Sequence, residues 1–422
     1  FPVNSNTGPT RTDSVPAEGG GNLAAALAEY AGELEPYTEE IAPLLIGIGQ
    51  DLHEHPEIRY TEVHAAAVLT SALTEAGFAV TSGFADLPTA FVARWSSASA
   101  DEASPTIAIF CEYDALEGIG HACGHNIIAA SGLGAGLLTR RWLLDHSGVG
   151  AHLVVIGSPG EEGAAGKVPM IDGGVLDGID LASMIHPSSV DLIHPEMLSR
   201  VALDVEFTGR ASHAAGSPEE GVNALDAATL TLTAIGLLRQ QLTSDVRIHG
   251  IVTDGGQAPN IIPETSALRF FVRADDRDRL LDVVVPKVKN CAKGAALATG
   301  CQVLIEERTP PYFSMITNQA LAEVATAAFG TVGRALDAPI GVQGSTDMGN
   351  VSHRVPALHP MIKLGDELAG HTRQFAAAAA GEAMGPTILD GATILALTAI
   401  RAASDPELVA LAKAEFGARF GD

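Results

Sequence analysis

The sequence predicts an α/β protein in which a largely parallel sheet carries helices on both faces, with a small α+β domain inserted into it. The first observation is that short apolar runs alternate with helical segments after Pro56. The second is a change of order between about residues 197 and 315, where strand, helix, strand, strand, helix and strand follow one another. The third is the return of the alternation afterwards, in a chain of 422 residues that is long enough for two domains.

The larger domain begins with a helical pattern from Leu23, which becomes amphipathic over residues 43–53 and ends before Pro56. Continuous apolar runs then predict buried strands, and a longer segment between two of them predicts a helix. The strands cover residues 90–95, 106–111, 152–156 and 181–185, and the helix covers residues 124–144. After the insertion, a helix near Leu321 and a strand over residues 357–364 continue this domain.

The inserted domain has the element order of a ferredoxin-like unit. Its strands are predicted over residues 200–207, 246–253, 267–274 and 302–307, with helices over residues 222–242 and 279–297. Because a complete small domain interrupts a larger one, we expect a hinge-linked lid. The predicted organisation is a disordered arm (residues 1–22), a main domain (residues 23–196 and 316–422) and a lid (residues 197–315).

Composition limits the partners and the compartment. The formal net charge of −26, from 51 acidic and 25 basic residues, repels phosphate backbones and anionic lipid surfaces, so we expect no nucleic acid partner. No run approaches the roughly 18 consecutive apolar residues of a membrane helix, so we expect no membrane span. The four cysteines have no spacing typical of a secreted disulfide framework, which favours a reducing, cytoplasmic setting.

The densest cluster of potential metal ligands reads CEYDALEGIGHACGHN over residues 111–126. It follows an apolar strand, crosses a Gly-rich loop and opens a helix, so its polar side chains should lie at the carboxyl edge of the sheet. These side chains are Asp114, His121, Cys123 and His125. A thiolate and an imidazole two residues apart can bind one metal ion or two neighbouring ions. Two other interpretations stay open for this segment, a buried thiol with polar helix caps and a cysteine nucleophile at a helix N-terminus.

Two adjacent carboxylates, Glu161 and Glu162, follow the next predicted strand in the segment SPGEEG. One of them can bind a metal ion while its neighbour faces the bound water as general base. His186 follows the strand over residues 181–185, and His371 lies in a loop after the last strand. Together the clusters predict two divalent metal ions with Glu161 as the base, and the ligands are Cys123, His125, Glu162, His186 and His371.

The segments GIGHACGHN, SPGEEG, GRASHAAGSPEEGVNALDA, GGQAPNIIPE, GSTDMGNVSH and GHTRQFA resemble the aminoacylase and carboxypeptidase family of dimetal hydrolases. The resemblance runs from about Ile41 to Arg401 and is strongest to the branch of the aminobenzoyl-glutamate hydrolase B subunit and the β-alanyl-lysine dipeptidase-like proteins. It implies a zinc-hydrolase domain that cleaves the amide bond of a small N-acyl or aminoacyl amino acid. It also implies two divalent cations, zinc or else manganese. Because an inserted ferredoxin-like unit offers a free sheet edge and helix face for pairing, we also predict a homodimer joined through the lid.

The resemblance also assigns roles to individual residues. It supports Glu161 as the base and implies that Asp114 orients the metal-binding groups. His213 matches a lid histidine that stabilises the transition state, in relatives often across a dimer interface. Asn260 and Arg273 match lid residues that hold the carboxylate of the substrate.

Two positions depart from the family pattern, because Glu117 replaces a usual proline and Gly160 replaces a usual alanine. Both lie beside the site and are expected to reshape the substrate pocket. Two rival functions are a non-catalytic metal-binding protein of the same fold and a cysteine-dependent acyltransferase that uses Cys123. The first rival has no need of Glu161, and a chelator would spare the second.

Overall fold

The structure is a computed structural model that describes residues 20–421. Its strands, numbered along the chain, are β1 (Ala79–Ser82), β2 (Phe91–Ser96), β3 (Thr106–Glu112), β4 (His152–Ser158), β5 (Leu181–Ser183), β6 (His186–Ser188), β7 (Ser199–Thr208), β8 (Arg247–Asp254), β9 (Thr265–Ala274), β10 (Gln302–Glu307), β11 (Ala357–Leu358) and β12 (Met361–Lys363). Its α-helices are α1 (Gly20–Glu54), α2 (Val63–Glu75), α3 (His125–Asp145), α4 (Glu161–Ala164), α5 (Lys167–Asp172), α6 (Ala224–Leu238), α7 (Val285–Thr299), α8 (Gln319–Thr331), α9 (Met348–Ser352), α10 (Arg373–Ala378), α11 (Met384–Ser404) and α12 (Pro406–Phe420).

The large sheet has six strands in the order β1-β2-β4-β3-β5-β11. Strand β3 runs parallel to both β4 and β5, and β5 runs parallel to β11, while β1 and β2 form an antiparallel edge. Side chains of β3 enter two different cores, Ile107 and Ile109 on one face and Ala108 and Phe110 on the other. Burial on both faces explains the continuous apolar runs, and the prediction of a largely parallel sheet is confirmed.

Helices α1, α3 and α11 pack together on one face of this sheet. Their close approach depends on Gly134, where a Cβ atom would lie 2.6 Å from Cδ1 of Leu45 and 2.8 Å from Cβ of Ala392. Helix α11 is long and apolar enough to cross a membrane by composition alone, which the count of consecutive apolar residues did not detect. However, 72% of its apolar window is buried inside the protein, as in the central helix of a folded core.

The segment between β7 and β10 forms a separate four-stranded antiparallel sheet in the order β10-β7-β9-β8. Alternate residues of β7, from Val201 to Phe207, pack with helices α6 and α7 in a second core. The helix predicted over residues 279–297 begins with a π-helical turn, Arg279–Val284, before α7. The other residues of β7 and β9 point to the opposite face of this sheet.

Three predictions differ from the structure. The strand predicted over residues 357–364 is two short strands, β11 and β12, because Pro360 has no N–H to donate to a sheet ladder. The apolar run over residues 181–185 likewise leaves the large sheet after β5 and leads into β6, which pairs with β12. Residues 20–22 of the predicted arm belong to α1, and the rest of the arm lies outside the described residues.

Candidate active site

The predicted metal ligands come together at the carboxyl edge of the large sheet. A cavity of about 450 Å³ opens there, between this edge and the base of the four-stranded sheet. Among its lining residues are Cys123, Glu161, Glu162, His186 and His371. His125, the first residue of α3, is fully buried behind this lining. Four segments that are distant in sequence therefore bring their side chains to one place.

Two of the groups of side chains that have the spacing of metal ligands consist only of predicted ligands. The donor atoms of Cys123, His125 and His186 lie within 4.8 Å of one another, and so do those of Cys123, Glu162 and His371. Cys123 belongs to both groups, and its Sγ lies 3.5 Å from Nε2 of His186. The two groups therefore supply donor atoms that would hold two neighbouring cations.

Unpaired polar atoms in this cluster test whether metal ions fit. His125 Nε2 and Glu162 Oε1 are buried and have no hydrogen-bond partner within residues 20–421. They lie 3.8 Å apart, and Nε2 of His371 lies 3.3 Å from the same Glu162 oxygen. A buried imidazole nitrogen and carboxylate oxygen without partners are costly, and a cation bound by each of the two groups would satisfy these atoms. The residues present therefore fit a pair of metal ions.

Asp114 contacts two of the predicted ligands in this cluster. Nδ1 of His125 lies 3.1 Å from Oδ1 of Asp114, and the backbone N–H of Glu162 donates to Oδ2 at 2.8 Å. If Nδ1 of His125 carries the proton of this contact, Nε2 is left with a free lone pair for a metal ion. One buried carboxylate thus aligns two of the predicted ligands.

The adjacent glutamates Glu161 and Glu162 lie in opposite environments. Burial raises the pKa of Glu161 well above its usual value, and the nearby carboxylates of Glu162 and Glu112 raise it further. Burial also acts to raise the pKa of Glu162, but the imidazole of His371, 3.3 Å from its Oε1, and the charge of His125 outweigh it and lower this pKa to about 2. A pair of carboxyl groups pushed apart in this way has one proton carrier and one permanent anion. This division favours Glu161 as the base and Glu162 as the ligand.

Three buried charges beside the cluster were missed by sequence reasoning. Lys167 is fully buried, and its Nζ contacts Glu112 and lies 2.6 Å from Oδ1 of Asp347. Oε2 of Glu112 is 3.6 Å from Nε2 of His125, so this ion network adjoins the ligands. Glu112 and Asp347 lie inside the quoted motifs, so their position in the sequence could have indicated a place near the site. Nothing in the pattern around Lys167 pointed to a buried cation.

Two glycines determine the path of the backbone around the site. Gly124 has a φ of +73°, and a Cβ atom there would lie 2.5 Å from Cγ of Pro187. Gly160 has a φ of +69°, and a Cβ atom would lie 2.9 Å from the ring of Tyr60. Only glycine adopts such a conformation without strain. The departure at Gly160 therefore accompanies an aromatic ring packed directly against the loop of the two glutamates.

The site residues predicted in the inserted domain lie in two different places. Arg273 lines the cavity and donates from Nη1 to Oγ of Ser345 at 2.9 Å. His213 and Asn260 are exposed and lie beside each other, since the N–H of Ala214 donates to the Asn260 carbonyl at 3.0 Å. Neither of them lines the cavity in this chain. Two lining residues that sequence reasoning missed are Arg200 and Tyr312.

Comparison with known proteins agrees with this site. The profile of the peptidase family M20/M25/M40 matches residues 107–384. The chain is 37% identical to the Xaa-Arg dipeptidase of Mus musculus over 412 residues, which cover 95% of each protein. It is 34% identical to the p-aminobenzoyl-glutamate hydrolase B subunit of Escherichia coli strain K12 over 273 residues, which are 60% of this chain and 55% of that protein.

A solved structure has the same fold. It is a dinuclear metal binding peptidase from Bacillus subtilis, which superimposes with a TM-score of 0.62 at 20% identity over 86% of this chain and 99% of that chain. The fold, the matched profile and the cluster of ligands with an adjacent glutamate lead to one conclusion. The chain is a hydrolase that belongs to peptidase family M20/M25/M40.

Proposed function

We propose that this hydrolase cleaves the amide bond of a small N-acyl or aminoacyl amino acid with a free carboxylate, through water activated by two divalent cations. The observation that carries the proposal is the content of one cavity. It combines a predicted base, Glu161, with two groups of metal ligands and a guanidinium, Arg273. These are the parts that hydrolysis of a carboxylate-bearing amide requires.

The relatives support the same class of substrate. Their names describe a dipeptidase, an aminobenzoyl-glutamate hydrolase and an N-acetyl-L-cysteine deacetylase, all of which act on small aminoacyl or acyl amino acids. The first two names differ in the amino acid released, one basic and one acidic. The family therefore supports the type of bond, and the residues of the cavity must decide the choice of amino acid.

One thiolate, three imidazoles and one carboxylate favour zinc, with manganese as the second candidate. Two bound cations would polarise the scissile carbonyl and lower the pKa of a water molecule towards ~7. Glu161, in its ionised form, accepts a proton from the water and passes it to the leaving amine. Asp114 keeps the His125 ring in place throughout, and Arg273 fixes the carboxylate end.

The inserted domain, residues 197–315, would act as lid and dimerisation domain. Strand β8 is at the edge of its sheet, and its Ile251 side chain is 61% exposed with Val252 beside it. An open apolar edge of this kind is suited to pairing with a second copy. Within residues 20–421 His213 has no place in the cavity of its own chain, so a second copy or lid closure would have to bring it there.

The four cysteines are free thiols, which fits the proposed reducing, cytoplasmic setting.

Light scattering at micromolar concentration tests the dimer independently of activity. A monomer would contradict dimerisation through the lid.

The decisive experiment is hydrolysis of a panel of N-acyl and β-alanyl amino acids by the purified protein, with elemental analysis of the same sample. We expect two divalent cations per chain, loss of activity on chelation and recovery on adding zinc or manganese. Carboxamide analogues of good substrates should be poor. Activity that survives complete metal removal but not thiol alkylation would instead favour the cysteine-dependent acyltransferase, and a metal-loaded protein without turnover would favour the binding protein.

The ligand assignment has its own control. Glu162→Ala and His186→Ala should each lose metal content, because each removes a donor atom from one of the two groups. Full occupancy in both variants would contradict the proposed ligands.

A further inference from the structure

Two arginines face each other across the base of the inserted sheet. Arg200 on β7 is the direct antiparallel partner of Arg273 on β9, so their side chains share one face with Cβ atoms roughly 5 Å apart. Arg247 faces Arg273 from β8, but its guanidinium contacts the Ser244 carbonyl. Like charges directly opposite in a sheet destabilise it, so this arrangement calls for a compensating anion.

No acidic side chain of the described residues pairs with Arg200 or Arg273. Arg200 is only 8% exposed, and its Nε is buried without a hydrogen-bond partner in residues 20–421. Its guanidinium stacks on the ring of Tyr312 at 4.0 Å and lies 4.7 Å from the ring of Phe271. Burial, together with the charge of Arg200, lowers the pKa of Arg273. Aromatic faces hold Arg200 in place but do not satisfy the donors of its fork.

The same two strands contain a paired arginine for comparison. Four residues along, Arg269 on β9 faces Asp204 on β7, and the two form a bidentate ion pair with distances of 2.7 and 3.2 Å. The sheet therefore neutralises an arginine on this face where it lies away from the cavity. The cross-strand arginine pair at the cavity, in contrast, has no carboxylate from the described part of the chain.

Both unpaired arginines line the cavity that holds the metal ligands. Tyr312, on which Arg200 stacks, donates its hydroxyl proton to the backbone carbonyl of Glu161. Arg200 thus lies one aromatic ring away from the proposed base. The acidic side chains in the described lining are Glu161 and Glu162, which the mechanism already uses.

We propose that the cavity selects a dicarboxylic leaving group, with Arg273 binding the α-carboxylate and Arg200 binding the side-chain carboxylate of an amide of glutamate or aspartate. This inference rests on the proposed function and names its substrate class. A planar guanidinium meets a carboxylate with two parallel hydrogen bonds, so two guanidinium groups match two carboxylates. A basic leaving amino acid would instead meet two cations and no free carboxylate in the described lining.

The test uses acetyl, 4-aminobenzoyl and β-alanyl amides of glutamate, glutamine and arginine with the metal-loaded protein. Glutamine has the shape of glutamate without its second charge, so the ratio of kcat/KM for the two amides isolates the contribution of the second carboxylate. We expect this ratio to be roughly 10 to 100, the range for a hydrogen bond to a charged partner. The arginine amides should be the poorest of the three.

Variants assign the two arginines. In Arg200→Gln the glutamate-to-glutamine ratio should fall to about one, and Arg200→Lys, which keeps the charge but loses the fork, should give an intermediate ratio. In Arg273→Gln both amides should lose activity together with the ratio retained. Arg269→Gln, which breaks the Asp204 pair on the same face, should match the unchanged protein. Circular dichroism and thermal melting verify that each variant is folded.

A ratio near one in the unchanged protein, a preference for arginine amides, or equal losses on both amides in Arg200→Gln would each overturn the two-arginine site while leaving the amidohydrolase in place. Absence of turnover on every amide would overturn the proposed function instead. Calorimetric binding of L-glutamate and L-glutamine to the metal-loaded protein then still decides. Tighter glutamate binding that Arg200→Gln abolishes supports the site, and equal binding refutes it.

Discussion

The two domains use their predicted functional residues in opposite ways. In the main domain, predicted ligands from four separate segments converge on one cluster, and His125 and Asp114 are almost fully buried there. In the inserted domain Arg273 reaches the cavity, whereas His213 and Asn260 are exposed away from it. A site at the carboxyl edge of a parallel sheet is complete within one chain because neighbouring strands end at the same edge. His213 and Asn260 would need a motion or a second chain to reach the cavity.

The largest effect should come from the main domain. Glu161→Gln removes the proton carrier and leaves all the proposed ligands, so we expect kcat to fall by about 10²- to 10⁴-fold with both metal ions retained. Steady-state kinetics and elemental analysis of the same sample measure this. Turnover close to that of the unchanged protein, at full metal content, would remove Glu161 from its role.

Stability should depend on buried charge in the main domain and hardly at all on ion pairs of the inserted domain. Lys167→Met leaves Glu112 and Asp347 buried without their cation, so the free energy of unfolding should fall by about 3 to 5 kcal/mol. The control is Lys289→Met, which breaks the partly exposed pair with Glu307 at 2.7 Å and should cost ~0 to 1 kcal/mol. Urea titrations of both variants compare them, and equal losses would contradict the contrast between the domains.

Mixing two variants tests whether His213 acts across a dimer or within its own chain. His213→Ala should lower kcat by about 10²- to 10³-fold with metal content unchanged, if it stabilises the developing oxyanion. If it acts across a dimer, mixing equal amounts of His213→Ala and Glu161→Gln should restore about a quarter of the activity, since half of the dimers gain one intact site. If mixing restores nothing although subunits exchange, His213 acts within its own chain through lid closure.

The smallest effect concerns pH. Glu62 is fully buried and accepts a hydrogen bond from the N–H of Gly160 at 2.9 Å. Burial, and then the charge of Asp114, raise its pKa from 4.5 to about 7. The folded protein therefore holds this proton more tightly than the unfolded chain does. The stability from Glu62 is fully present below pH 4.5 and is lost as the pH rises towards 7.

Glu62→Gln should remove this pH dependence. Unfolding free energies measured from pH 4.5 to 7 should decline less in the variant, by about 1 to 3 kcal/mol in total. An unchanged slope would mean that Glu62 is ionised in the folded protein throughout this range.

Local pattern was sufficient for the main domain. Apolar runs located the strands, and polar residues at the strand ends located Cys123, Glu162 and His186, because side chains at the ends of parallel strands share an edge. Even where the strand over residues 357–364 proved to be two strands, the loop with His371 still reached the cluster. The error did not move a ligand because the chain direction was unchanged.

Residues whose role depends on pairing register were out of reach of the sequence. Arg200 lies near the start of a strand, at a position where the apolar alternation is compatible with any polar residue. Its position opposite Arg273 becomes visible only when β7 pairs with β9. Lys167 has no local sign of its partners, which are 55 and 180 residues away in the sequence. The motif assigned roles to His213 and Asn260. Their distance from the cavity depends on how the whole chain folds, which a local motif does not show.

One small contact joins the two places where the chain crosses between the main and inserted domains. Arg200 and Tyr312, on the strand that enters the inserted domain and the segment that leaves it, exchange two backbone hydrogen bonds of 2.9 Å. The two crossings are therefore tied to each other, and the Tyr312 hydroxyl ties them to the loop of Glu161 by donating to the Glu161 carbonyl. In a rotation of the inserted domain about this contact, residues close to the contact would move less than residues far from it. Arg200, which forms the contact, and Arg273, its cross-strand neighbour, would therefore keep their places in the cavity during such a rotation.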